Sequence, residues 1–256
     1  ARWRVCSLCE QEYHGFVACA LGWACWKTYV GRPERKSLRR GAMSQLGNGL
    51  YHAKRLEDAL AVQEAQLSME RRLGVAEENI IAVQGNVACV YAMLERREEA
   101  MCVRKDVYSG WLKLLGEEHQ YTFIAADNYA LSLLDLRRFE EAKSLMRKTL
   151  PVARRVLGES HDLTIRMVRS YAIALFRSND ASLDDLREAV ETLAETERTA
   201  RRVLGGAHPV TEGIEGDLKN ARAWLRAHEG AVESLSEAVA EMMPGDAQDE
   251  VLAQTA

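Results

Sequence analysis

Proline is scarce in this chain, four among 256 residues, so little interrupts helical stretches. Long apolar runs are missing as well. The most apolar one, Phe16 to Trp26, is far shorter than the roughly 20 residues that a helix needs to cross a bilayer, and it carries Gly and Cys instead of a cleavable signal pattern. Neither sign of charge dominates: 34 Lys and Arg stand against 38 Asp and Glu, a net charge of -4, which gives no basic excess for nucleic acid or an anionic membrane. Phosphate loops are absent too. "QLGNGLY", Gln45 to Tyr51, has two glycines but is neither a Walker loop nor a dinucleotide fingerprint, and no strand pattern precedes it. No nucleophile stands with a base at a recognisable spacing. These absences point away from membrane, nucleic-acid and enzyme functions, and no cofactor is required. With 47% hydrophobic and 28% charged residues, the chain is long enough to bury a sizeable core and reads as a soluble, cytoplasmic protein.

What is present is a repeat. "ARRVLGESHD" (Ala153 to Asp162) and "ARRVLGGAHP" (Ala200 to Pro209) share six residues and a His, and weaker copies end in Leu73-Gly74 and Leu115-Gly116. The four glycines, Gly74, Gly116, Gly158 and Gly205, are 42, 42 and 47 residues apart. A second marker, an acidic residue or pair before Ala59, Ala100, Ala142 and Ala189, recurs at 41, 42 and 47 residues. Two markers that share one period, including the same insertion in the last copy, establish an internal repeat.

Each marker has a physical reading. The glycines follow cation-rich segments such as Arg154-Arg155, where positive charge meets the negative end of a helix dipole and Gly can end the helix. The pairs Glu57-Asp58, Glu98-Glu99 and Glu140-Glu141 stand where carboxylates favour a helix start. Between Gly116 and Glu140, residues Phe123, Ala126, Ala130, Leu133 and Leu134 form one helical stripe. One unit is therefore two helices, with small residues such as Ala130 and Ala142 where they approach closely. Such pairs bury their faces only by stacking, so the expected fold is all-α: an α-solenoid of stacked antiparallel helix pairs with a concave inner surface.

The unit of about 42 residues, with L-G-x-x-H opening the linker, Asn-x-Ala nine residues beyond the His position and E-E-A opening the second helix, resembles the tetratricopeptide repeats of kinesin light chains. The resemblance runs from about Lys36 to His228. His119, His161 and His208 each lie three residues after their Gly, and Glu77 takes that place in the earlier copy. Their recurrence at one linker position predicts a structural or capping role. Asn86 and Asn128 match the Asn of the first helix, which in the family faces the inner groove, and Ser170 takes that place in the next copy. The resemblance implies a groove that recognises cargo and adaptor peptides. Asn86 and Asn128 would hydrogen-bond the ligand backbone, while Asp127, Arg166 and Arg169 would choose its charge. The coiled-coil heptads that bind heavy chain in that family are absent.

Residues 1–35 stand outside the repeat and hold four of the six cysteines, Cys6, Cys9, Cys19 and Cys25, with His14 among them. A Cys-x2-Cys pair with two more thiols could hold a structural zinc. Cys19 and Cys25, six apart in a helical apolar run, are less well placed than the first pair, and His14 could replace one of them. As small core residues they need no metal, and Cys89 and Cys102 read as buried small hydrophobes within repeat helices. The organisation expected is thus a Cys-rich segment over 1–35, a repeat array with a capping helix over 36–228, and an extra helix followed by a disordered tail over 229–256. "RPERKSLRR" (Arg32 to Arg40) reads as a solvated linker and helix start. The function expected is a protein-interaction scaffold that holds a partner's peptide or helix in the groove. The alternative is a spacer or oligomerisation platform for a domain upstream of Ala1, with a zinc-stabilised junction.

Overall fold

The computed structural model describes residues 11–34 and 37–242, with side chains through Ser236. The regular elements among them are ten helices: α1 (Gly15–Tyr29), α2 (Ser37–His52), α3 (Leu56–Leu73), α4 (Glu77–Met93), α5 (Arg97–Leu115), α6 (Gln120–Asp135), α7 (Phe139–Leu157), α8 (Asp162–Arg177), α9 (Leu183–Val203) and α10 (Pro209–Met242). The all-α solenoid expected from the period is the observed fold, with α2, α4, α6 and α8 as first helices and α3, α5, α7 and α9 as second helices. The chain divides into two units, between Arg138 and Phe139. In the first, each helix packs on the next from α1 through α6; in the second, α7 packs on α8, α8 on α9 and α9 on α10.

Both sequence markers fall where their chemistry predicts. The acidic pairs occupy the first turns of α3, α5 and α7. The marker alanines Ala59, Ala100, Ala142 and Ala189 are all 0–1% exposed, as small residues at helix crossings should be. Around them the first unit buries Leu46, Leu50, Leu60, Val87 and Val90. The second buries Met146, Leu175, Phe176, Leu186, Leu193 and Ile214. Each such side chain contributes about 1.5–3 kcal/mol by leaving water.

Helix ends follow two rules. The second helices α3, α5 and α7 stop directly before Gly74, Gly116 and Gly158, and α9 stops two residues before Gly205; all four glycines have positive φ. Gly74 is left-handed, whereas Gly116 has φ 83° and ψ 178°, a region that side chains essentially exclude. The first helices α2, α4 and α6 end instead at Lys54, Glu95 and Arg137, which are left-handed without being glycine. Each end carries the same two bonds. The N–H of Arg55 donates to the Leu50 carbonyl and that of Lys54 to Tyr51; Arg96 and Glu95 repeat this with Tyr91 and Ala92, and Arg138 and Arg137 with Leu133 and Leu134. These are Schellman motifs built on L-residues, at a cost of about 1 kcal/mol each.

At the N-terminal end, α1 crosses α2 almost backbone to backbone. A Cβ on Gly22 would lie 2.8 Å from the Gln45 carbonyl oxygen, and one on Gly49 2.6 Å from that of Ala18. Part of the Cys-rich segment is therefore a packed helix of the first unit. At the other end α10 is one continuous helix through Gly230, so the extra helix expected after residue 229 is its continuation to Met242. The tail beyond Met242 lies outside the described residues.

The start of α9 is held by charge. Burial pushes the Asp185 carboxyl up, but bonds from the Ser182 hydroxyl and N–H and the nearby Lys143 ammonium outweigh it and hold the group below its ordinary value of 3.8. A depressed carboxyl contributes stability above its unfolded pKa and loses it as the pH falls through the folded value. Asp185→Asn is therefore expected to lower the Tm at pH 7 and to flatten its decline between about pH 4 and pH 2, read by circular dichroism. Glu95→Gly is expected to stabilise the chain by up to about 1 kcal/mol in urea unfolding, while Gly116→Ala destabilises it by about 1–3 kcal/mol.

Candidate functional site

The linker histidines are helix caps. Nδ1 of His119 accepts from the Tyr121 N–H at 3.2 Å, Nδ1 of His161 from Leu163 at 3.1 Å, and Nδ1 of His208 from Val210 at 3.2 Å. Each imidazole thus satisfies one of the unpaired N–H groups of the following first turn, and this requires a neutral ring with its proton on Nε2. Where Glu77 replaces His, α4 begins at Glu77 itself, and the capping position before it is Ala76, which makes no side-chain bond. The structural role expected for the three is the one observed.

Two of the residues expected to face a ligand occupy equivalent places. Asn86 on α4 and Asn128 on α6 each lie nine residues before a left-handed residue, Glu95 and Arg137. Both are half-buried, and neither carboxamide makes a hydrogen bond to another described residue. Gln45 holds the same place on α2, before Lys54, and is likewise half-buried. An Asn that only closed a neighbouring turn would be bonded to it. Beside the two carboxamides each helix exposes apolar surface: Met93 on α4 and Leu131 on α6 are both 39% exposed, and Cys89 is half-buried one turn from Asn86.

Arg104, on α5, steadies this face from behind. Its Nη1 donates to the Asn128 carbonyl at 3.2 Å and to the Ser132 hydroxyl at 2.8 Å. Burial pushes the Tyr51 phenol up and Arg104 partly opposes it, so the guanidinium's field also reaches α2. Nothing in the repeat markers singles out Arg104, because the same position in α3 and α7 holds Gln63 and Met146.

The remaining expected site residues are differently placed. Asp127 and Ser170 are buried, each 3% exposed. Arg166 is exposed and pairs with Asp162 at 3.3 Å on its own helix. Arg169 reaches α10, where its Nε meets Asp217 at 2.6 Å. Its guanidinium lies across Gly213, where a Cβ would come within 2.7 Å of it. Arg169 is thus already paired within the second unit.

Of the suggested metal ligands, Cys6 and Cys9 lie outside the described residues. Cys19 packs against Leu46 and Leu50, and Cys25 is 3% exposed; with Gly22 they form the buried face of α1, so residues six apart do share a face here. His14 caps α1 by position without a side-chain bond and meets His52 ring to ring at 5.9 Å. Among the described residues no cluster of three His, Cys, Asp or Glu could hold a metal.

His161→Ala is expected to destabilise the second unit by about 1 kcal/mol, with His161→Asp restoring the loss, as measured by urea unfolding. Asp217→Ala, which leaves the Arg169 charge unpaired, is expected to cost about 1–3 kcal/mol in the same assay.

Comparison with known proteins agrees with this geometry. Residues 123–162 match the family model of the tetratricopeptide repeat. A kinesin light chain-type protein of Podospora anserina with nearly identical TPR-like repeats superposes with a TM-score of 0.62 at 19% identity, covering 79% of this chain and 93% of that one. BtubC (BKLC) of P. vanneervenii gives 0.55 at 15% identity over 86% and 89%, and the apo form of RapI 0.55 at 12% over 83% and 78%. A search of curated protein sequences finds no significant match. Residues 123–162 thus match one tetratricopeptide repeat, and the fold of the chain is that of kinesin light chain-like repeat proteins.

Proposed function

We propose that this chain is a non-catalytic scaffold that holds an extended peptide or a helix of a partner protein on the exposed face of its first helices. The observation that carries this reading is the pair of carboxamides at Asn86 and Asn128, equivalent in position, half-buried and not bonded to any other described residue. A carboxamide offers both a donor and an acceptor, the pair of groups that one peptide unit requires. Met93 and Leu131 beside them offer apolar footholds for ligand side chains. No helix among the described residues is long and apolar enough to cross a membrane, and the net charge of -4 gives no general attraction for nucleic acid. A cytoplasmic protein partner is the reading that these features support.

The test is selection of peptides from a random library on the immobilised chain, followed by fluorescence anisotropy with the best peptide. Asn86→Ala combined with Asn128→Ala is expected to weaken binding about 5- to 150-fold, the worth of two hydrogen bonds, at unchanged helicity. An unchanged Kd in the double variant overturns the assignment of this face.

A further inference from the structure

The second unit holds a cleft of about 640 Å³ between α9 and α10, remote in sequence from the Asn positions. Its floor includes Ala194 and Leu218, and its walls carry five cations, Arg198 and Arg201 from α9 and Lys219, Arg222 and Arg226 from α10. Two carboxylates, Glu197 and Glu215, also line it, and Arg201 engages both at 2.7 and 2.5 Å. The other four cations, Arg198, Lys219, Arg222 and Arg226, have no ion-pair partner among the described residues.

Helix-dipole chemistry accounts for Arg201 and Arg202, which lie in the last turn of α9. It does not account for Lys219, Arg222 and Arg226, which stand in the middle of a 34-residue helix at three- and four-residue steps and so share one face. Like charges gathered on facing helices repel one another, and within a shaped cleft their field is focused toward an incoming anion. Four uncompensated cations in a chain whose net charge is -4 therefore mark a site for negative charge. Guanidinium groups suit carboxylate and phosphate, which they bind through paired N–H donors.

We propose that the α9–α10 cleft binds an acidic peptide segment of a partner protein, one with several clustered carboxylates or phosphates. The site is separate from the carboxamide face, and its test leaves Asn86 and Asn128 untouched. The full chain is titrated with fluorescein-labelled octaglutamate by anisotropy. Saturable binding is expected that weakens severalfold as salt rises from about 50 to about 200 mM, with no binding of octalysine. Arg198→Gln with Arg222→Gln, both exposed and so compatible with the fold, is expected to weaken it about tenfold. Glu215→Gln, which releases one contact of Arg201, is expected to tighten it.

Three results would overturn the proposal. The first is no saturable binding at low salt. The second is an equal loss in a control that removes the same charge elsewhere, Lys105→Gln with Lys148→Gln. The third is tighter, cleft-dependent binding of a uridine oligonucleotide or of phosphatidylserine vesicles, which would assign the cleft to another class of partner.

Discussion

The structure depends on one constraint: within each unit every helix must reverse direction and pack on the next, with small residues where the two cross. Ala59, Ala100, Ala142 and Ala189 lie buried among the packed helices, where a larger side chain would have to displace its neighbours. The backbone meets the requirement with left-handed residues. At Lys54, Glu95 and Arg137 the chain accepts an unfavourable conformation because the two carbonyl bonds of each motif and the packing beyond it outweigh the local cost. The strain is repeated because the geometry is repeated.

Much of this was legible from spacing. The period, the helix starts at the acidic pairs, the helix ends at glycine and the capping role of the histidines all follow from recurring residues, and recurrence is something that one sequence displays. The non-glycine ends at Lys54, Glu95 and Arg137 were not, since a Lys, a Glu and an Arg share no propensity for the left-handed region. Their common feature is position, and only the backbone reveals it. The continuation of α10 through Gly230 was missed for a related reason: glycine reads as a break, although one such residue costs a helix only about 1 kcal/mol.

The candidate site divides along the same line. Asn86 and Asn128 stand out in the sequence because they recur, and the structure adds that neither amide is bonded to another described residue. Arg104, Gln45 and the cations of α10 could not be found that way, because each occurs in one copy only. Arg169 illustrates the opposite failure. It shares a helix with residues expected to meet a ligand, yet its partner is Asp217, 48 residues further along on α10, and that pairing also explains Gly213.

A chain of similar units faces an ambiguity of register, since a first helix could in principle dock on the wrong second helix. The crossing of α1 and α2 removes it at one end. Gly22 and Gly49 bring main chain onto main chain with no room for a methyl group, a fit defined by shape instead of by apolar area. A Cβ at Gly47, Gly110 or Gly213 would instead meet the side chain of Gln63, Ile81 or Arg169, which can shift, so the α1–α2 seam is the stricter fit. A seam of this kind admits one register of α1 on α2, because a slide of either helix would set a side chain where only glycine fits.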